Sequence, residues 1–292
     1  MKGGDPVQKT HGIKRAIQTA VLITMIIGKA SGVAWNPLPL LASAELPLFD
    51  AEVIQQNNEA AVDSFVAEVI RIPAASDARG KILIYHTHTY EAYEQTKPPY
   101  QQLEKWRTKD PAYNVIRVGQ ALASCLEALG YDVVHETTAF EPPTLDDAYA
   151  RSLSMLEERT KRGETYDLLI DLHRDALAAS STVKRTVDIN GEKAARFMVL
   201  VGQGSTGGYT EKPDWEQNLI VAKSITEALN AQVPGIARDV KIKTGRYNQH
   251  VSPRCILVEC GMNTNTLDEV LRGIPYLADA IVTALSKAPP DD

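Results

Sequence analysis

Short apolar runs alternate along the chain with longer segments of helical spacing. Residues 81–85, Lys-Ile-Leu-Ile-Tyr, form the kind of apolar run that a buried strand requires. Over 114–129 the apolar positions Ile116, Val118, Ala121, Leu122, Cys125, Leu126 and Leu129 recur at helical spacing, and Gly130 follows as a stop. A strand is predicted over 131–135, a helix over 145–161 with Thr144 as its N-cap, and a buried strand over 166–172. Residues 184–189 and 196–201 flank Asn190-Gly191, a pair suited to the left-handed backbone of a tight hairpin turn. A helix over 216–229, a strand over 254–259 and a helix over 267–285 complete the pattern. Strands alternating with helices of this length predict an α/β fold, a single mostly parallel sheet with helices on both faces. The hairpin would add an antiparallel edge.

The amino-terminal pattern is different. Lys9, Lys14 and Arg15 precede an apolar run over 16–28, broken only by Gln18, Thr19 and Thr24, which reads as an export signal or membrane anchor. The run is short against the ~20 apolar residues of a spanning helix. Ala42-Ser43-Ala44 offers a small-x-small cleavage site, but retention as an anchor is the preferred reading. A Pro- and Ala-rich stretch over 36–47 and a weakly patterned region containing one helix over 53–70 read as a juxtamembrane stalk. The expected organisation is therefore an N-terminal signal or anchor over 1–35, a stalk over 36–80, and a globular domain over 81–292. The expected location is the cell membrane, with the globular domain outside the cytoplasm.

Composition narrows the function classes. At 292 residues and 44% hydrophobic content, the chain has the makings of an ordinary globular core. A formal net charge of -6 excludes nucleic acid as the main partner, because phosphate binding needs clustered Lys and Arg. The three cysteines, Cys125, Cys255 and Cys260, are too few for a disulfide framework. Cys255 and Cys260 lie five apart on a predicted strand, so they should face opposite sides and remain unpaired.

Metal-capable and acidic groups concentrate in three segments, each at the end of a predicted strand: 85–91 (Tyr-His-Thr-His-Thr-Tyr-Glu), 171–175 (Asp-Leu-His-Arg-Asp) and 259–265 (Glu-Cys-Gly-Met-Asn-Thr-Asn). The carboxyl ends of strands in an open α/β sheet form the crevice where ligands bind. Two histidines with one carboxylate can hold Zn2+ and leave a position open, while a second carboxylate exchanges protons with the reacting water. Three of the six histidines fall in the first two segments; His11, His135 and His250 lack acidic companions of this kind.

These motifs together resemble those of the stage II sporulation protein P family. The resemblance is carried by Ile84-Tyr85-His86-Thr87-His88-Thr89-Tyr90-Glu91-Ala92-Tyr93, by residues 171–176, and by Tyr247-Asn248-Gln249 with Ser252-Pro253-Arg254 ahead of Val258-Glu259-Cys260-Gly261. Asn190-Gly191 followed by Ala195-Arg196-Phe197-Met198, and the run over 215–219, add to it. The family is in turn related to zinc N-acetylmuramoyl-L-alanine amidases, whose pattern aligns His88 and His173 with ligand histidines and Glu259 with the catalytic glutamate. The amidases carry a glutamate ligand at the start of the first helix, where this chain has Asn114. Glu91 is the expected substitute, with His86 as an alternative ligand. Arg174, Asp175 and Arg246 are expected to hold substrate carboxylates or to orient ligands. The resemblance implies an amidase-like sheet, a Zn2+ cofactor and a peptidoglycan substrate. The expected activity removes stem peptides from the glycan and also cuts cross-links between stems. It further implies action during sporulation engulfment beside a lytic transglycosylase and a membrane partner. The competing expectation is an inactive wall-binding or scaffold module of a membrane complex.

Overall fold

In the computed structural model the described residues are 78–287, apart from 97, 98 and 179. The expected membrane segment, the stalk up to residue 77 and its helix over 53–70 lie outside them. Among the described residues no helix is long and apolar enough to cross a membrane.

The described residues belong to one compact unit. Its elements are β1 (Lys81–Tyr85), α1 (Val115–Ala128), β2 (Asp132–His135), α2 (Ala148–Lys161), β3 (Leu168–Asp175), β4 (Thr186–Ile189), β5 (Glu192–Ala195), β6 (Phe197–Gly202), α3 (Trp215–Gln232), β7 (Lys241–Lys243), a single 3-10 turn (Gln249–Val251), β8 (Cys255–Met262) and α4 (Leu267–Lys287). Six strands form one sheet in the order β2-β1-β3-β8-β6-β7, and all neighbouring pairs are parallel except β6 against β8.

Side-chain alternation along the central strands builds two cores. Ile82 and Ile84 of β1, Ile170 and Leu172 of β3, and Ile256 and Val258 of β8 face α1, α3 and α4. Leu83 and Tyr85, Leu169 and Cys255 face the opposite way, against Leu156 and Met155 of α2. Helices therefore cover both faces, as expected. Cys260 belongs to the first core and Cys255 to the second, and all three cysteines are free.

Two local expectations are corrected. The hairpin pairs Ile189 with Glu192 directly across the Asn190-Gly191 turn, so its second strand is β5, and β4 and β5 form a separate two-stranded sheet. Residues 197–202 leave the hairpin and enter the main sheet as β6, between β8 and β7, because all six residues are buried and an edge position would expose them. The edge falls to β7, whose three residues are exposed. The second helix begins at Ala148 rather than 145, since Thr144 spends its hydroxyl on Asp147 Oδ2 at 2.6 Å and caps no backbone N–H.

α1 starts as expected, with the buried Asn114 side chain accepting from the Ile116 N–H at 2.9 Å. Gly119 of α1 lies under two imidazoles: a Cβ there would sit 2.5 Å from His135 Nε2 and 2.6 Å from His86 Nε2. Alanine would gain roughly 1 kcal/mol in helix propensity. It would also have to displace the fully buried His86 ring, whose two nitrogens are both engaged. Overpacking of this kind costs about 1–3 kcal/mol. Gly119→Ala is expected to lower the midpoint of denaturant unfolding, and an unchanged or raised midpoint would contradict this packing.

Candidate active site

β1, β3 and β8 are adjacent and parallel, so their carboxyl ends open onto one edge of the sheet. On β3 and β8 the residues with period two share a face, which puts Asp171, His173 and Glu259 on the side covered by α2. His173 and Glu259 are register partners across the two strands. His88 follows β1, and its ring stands perpendicular to that of His173 with centroids 5.3 Å apart.

His173 is nearly enclosed between two carboxylates. Its Nδ1 is 3.4 Å from Glu91 Oε2 and its Nε2 is 2.8 Å from Asp171 Oδ1, the latter approach lacking the alignment of a hydrogen bond. Burial disfavours the imidazolium, but the attraction of Asp171 and Glu91 outweighs it and raises His173 well above the ordinary histidine value. The carboxylates respond in the opposite sense. Burial pushes Glu91 up, yet His173, Arg174 and His88 together bring it down to about 2. Asp171 is also held below its ordinary value against burial, by His173 and by Thr87, which donates its N–H at 2.8 Å and its hydroxyl at 2.7 Å. His88 is lowered to about 4, first by burial and then by the nearby positive His173.

Glu91 is delivered to this group by the segment between β1 and α1. Its backbone bridges to Arg107, and its carbonyl accepts from the N–H of Val115, the first residue of α1. The carboxylate accepts from the Arg174 N–H at 3.1 Å. Asn114 caps α1 immediately beside this point, so the glutamate stands next to the helix start from a different place in the sequence.

Glu259 is partly open to solvent, but its Oε2 is enclosed and has no hydrogen-bond partner. Burial raises its carboxyl to about 8, with Glu91 and Asp175 adding to the rise and His173 and Arg238 opposing it. A carboxyl near neutrality can both take and return a proton.

The remaining expected site residues are engaged mainly with other parts of the protein. His86 turns into the protein: its Nδ1 is 2.9 Å from Leu172 O, which can only accept, so Nδ1 carries the proton. Its Nε2 then accepts from His135 Nε2 at 2.8 Å, and burial lowers the ring to about 3. Both nitrogens are thus committed away from His88 and His173. Arg174 was expected at the substrate, but its Nε donates to Ala92 O at 2.9 Å and its Nη2 to Trp106 O at 3.1 Å. It therefore pins the segment that carries Glu91. Asp175 pairs with Arg238 Nη2 at 2.7 Å, and Arg246 lies 4.1 Å over the Tyr209 ring.

Several further side chains complete the site. Asp171 precedes His173 by two residues on one strand, which puts both on one face; that signal was available. Glu141, buried and paired with Arg107, comes within 4.0 Å of the enclosed, unpartnered His88 Nδ1. Tyr149 of α2 packs edge-on against His88 at 5.5 Å. Glu141, Arg107 and Arg238 come from loops, and no periodicity points to them.

The zinc ion implied by the resemblance fits the chemistry of this donor set. His88, Glu91 and His173 supply two imidazoles and a carboxylate in mutual proximity, with His173 Nδ1 on the Glu91 side and His88 Nδ1 enclosed without a hydrogen-bond partner. Among the described residues no group of three or more His, Cys, Asp or Glu side chains is arranged to hold a metal ion. The two carboxylates favour a protonated His173, and a cation held here would take the place of that proton.

A family model for stage II sporulation protein P matches residues 45–282. The stage II sporulation protein P of Bacillus subtilis (strain 168) is 27% identical over 214 residues, covering 68% of this chain and 49% of that protein. The chain thus spans about half the length of that curated relative. Among solved structures, the CwlD amidase from Clostridioides difficile, in complex with the GerS lipoprotein, is similar with a TM-score of 0.43 and 16% identity over 71% of this chain and 97% of that one. The N-acetylmuramoyl-L-alanine amidase AmiC2 of Nostoc punctiforme gives a TM-score of 0.42 and 15% identity, over 71% and 95%. On the family match, which takes in all three motif segments at the strand ends, the chain belongs to the stage II sporulation protein P family.

Proposed function

We propose that this chain is a zinc-dependent peptidoglycan hydrolase of the sporulating cell, tethered to the membrane by its N-terminal segment with the catalytic domain outside the cytoplasm. Its primary reaction would be that of an N-acetylmuramoyl-L-alanine amidase, with cleavage of stem-peptide cross-links as a second activity. The observation that carries this reading is the convergence of His88, Glu91 and His173, with Glu259 the register partner of His173. Family membership supplies the sporulation setting. A lytic transglycosylase and a membrane protein of the engulfment machinery are the proposed partners.

In this reading His88, Glu91 and His173 hold the Zn2+, which when bound supplies a Lewis acid for the amide carbonyl and for water. Glu259 takes a proton from the attacking water and passes it to the leaving amine. Asp171, fixed by both donors of Thr87, orients the His173 ring. Arg174 holds the Glu91 carboxylate in place through its backbone N–H and the segment it pins.

A second reading, an inactive wall-binding module, is favoured by one observation: His173, a proposed ligand, lies against two carboxylates that favour its protonated form, which does not bind a metal. Mass spectrometry of the fragments released from purified peptidoglycan by the full chain separates the two. Free stem peptides would support the amidase, and uncross-linked monomers the endopeptidase. Wall binding without any release would support the module.

A further inference from the structure

Arg238 precedes β7 and lies beside β6: its N–H donates to Phe197 O at 2.8 Å, and the preceding Ala237 bridges to Phe197. Its guanidinium nevertheless reaches Asp175, at the end of β3, with an Nη2–Oδ2 distance of 2.7 Å. In the strand order β3-β8-β6 the side chain must therefore cross the carboxyl end of β8, the strand that carries Glu259. The side chain is only 13% exposed, and its Nε is enclosed without a hydrogen-bond partner. Enclosed guanidinium N–H groups are normally satisfied, so an unpartnered one beside a reactive carboxyl calls for a bound group.

A second guanidinium stands beside it. Arg196 lies close enough for the two guanidiniums to repel, and it is tied down by Gly235 O at 2.6 Å and Lys184 O at 3.3 Å. Two arginines thus share this rim, and the ion pair to Asp175 is the one carboxylate contact Arg238 makes among the described residues. Asp175 pairs with Arg238 and Asp239 acts on Arg196, so the rim carries mixed charge, and recognition here depends on the direction of the guanidinium N–H groups rather than on a positive field.

We propose that Arg238, braced by Asp175 and flanked by Arg196, is the point where the cleft recognises a carboxylate of the stem peptide, close to the bond being cut. This rests on the peptidoglycan reading above and narrows it to stems with free carboxylates. Asp175 then has a defined part. It fixes the fork of Arg238 by one edge and leaves the remaining N–H groups for a planar, doubly bonded carboxylate. Amidated stems, which lack that charge, should bind poorly by comparison.

The test uses the full chain and two muramyl peptides that differ only in having free or amidated stem carboxylates. Binding is measured at equilibrium in the Glu259→Gln background, where the probe is not consumed, and KM and kcat are measured with Glu259 restored. Arg238→Ala should weaken binding of the free-carboxylate probe roughly ten- to hundredfold and raise KM rather than lower kcat. Binding of the amidated probe should not change, and Arg238→Lys should recover part of the loss. Because alanine leaves Asp175 without its partner, the same selective loss must appear in Arg238→Gln combined with Asp175→Asn, which removes both charges together. Equal losses for both probes, or no loss, would overturn the proposal. Tight, Arg238-dependent binding with no fragment release would leave this carboxylate site standing while the hydrolase reading falls. Binding of neither probe by the parent chain would sink the site.

Discussion

Replacing Glu259 with glutamine should reduce fragment release by roughly 10²–10⁴-fold while the fold and the metal content stay as they are. Glutamine keeps the shape of the side chain and its place opposite His173, but it cannot exchange a proton. The environment of Glu259 suits that exchange: Oε2 is enclosed and unpartnered, and burial lifts the carboxyl to about 8. Glu91 and Asp171 are held below their ordinary values by His173; burial raises Glu141 as well, but its two oxygens are engaged by the Tyr90 N–H and by Arg107. The measurement is the rate of stem-peptide release beside the unfolding midpoint and zinc stoichiometry of the same preparation. Release at the parental rate would remove Glu259 from proton transfer, whatever the metal does.

The second large effect concerns His173. Asp171 is 1% exposed and Glu91 12%, and the imidazolium between them is what makes two nearby buried carboxylates tolerable. Alanine at 173 would remove both a zinc ligand and that cation. In the metal-free chain the expected loss of stability is about 3–5 kcal/mol, as for other buried charges stripped of a partner. The sign of its pH dependence follows from the direction of the shifts. With His173 present, Glu91 lies at about 2 against an ordinary value of 4.5, so its contribution is full above the ordinary value and is lost as pH falls towards 2. Without His173 that depression is gone, so the variant should be weakest relative to the parent near neutrality and should approach it in acid. Denaturant unfolding at several pH values checks this. A variant as stable as the parent at neutral pH would mean that His173 is not the cation holding these carboxylates together.

The chain's fold was legible wherever periodicity governs. The buried runs at β1, β3 and β8 and the helical spacing of α1 and α4 each have one plausible partner, a sheet covered on both faces. The second strand of the hairpin differs from the one expected because Asn190-Gly191 fixes only the residues next to it. That the apolar run of β6 should leave the hairpin and join β8 is a tertiary outcome with no local signal. The site shows the same division. His88, His173 and Glu259 announce themselves as polar residues at the ends of apolar strands. His86, two residues from His88, differs from it only in what surrounds it, namely Leu172 O and His135. Arg174 and Asp175 read as substrate-binding because they are charged and adjacent to His173. Their partners, Trp106 and Arg238, are 68 and 63 residues away in sequence and could not be paired from it.

One measurement bears on the central assignment most directly: stem-peptide release from purified peptidoglycan by the full chain, first as isolated, then after chelation, then with zinc restored. The expected result is release that stops on chelation and returns with zinc in the parent, and that does not return in His88→Ala or His173→Ala. Release that continues undiminished in chelator, from a chain retaining no metal, would contradict the assignment of His88, Glu91 and His173 as zinc ligands and the mechanism built on them.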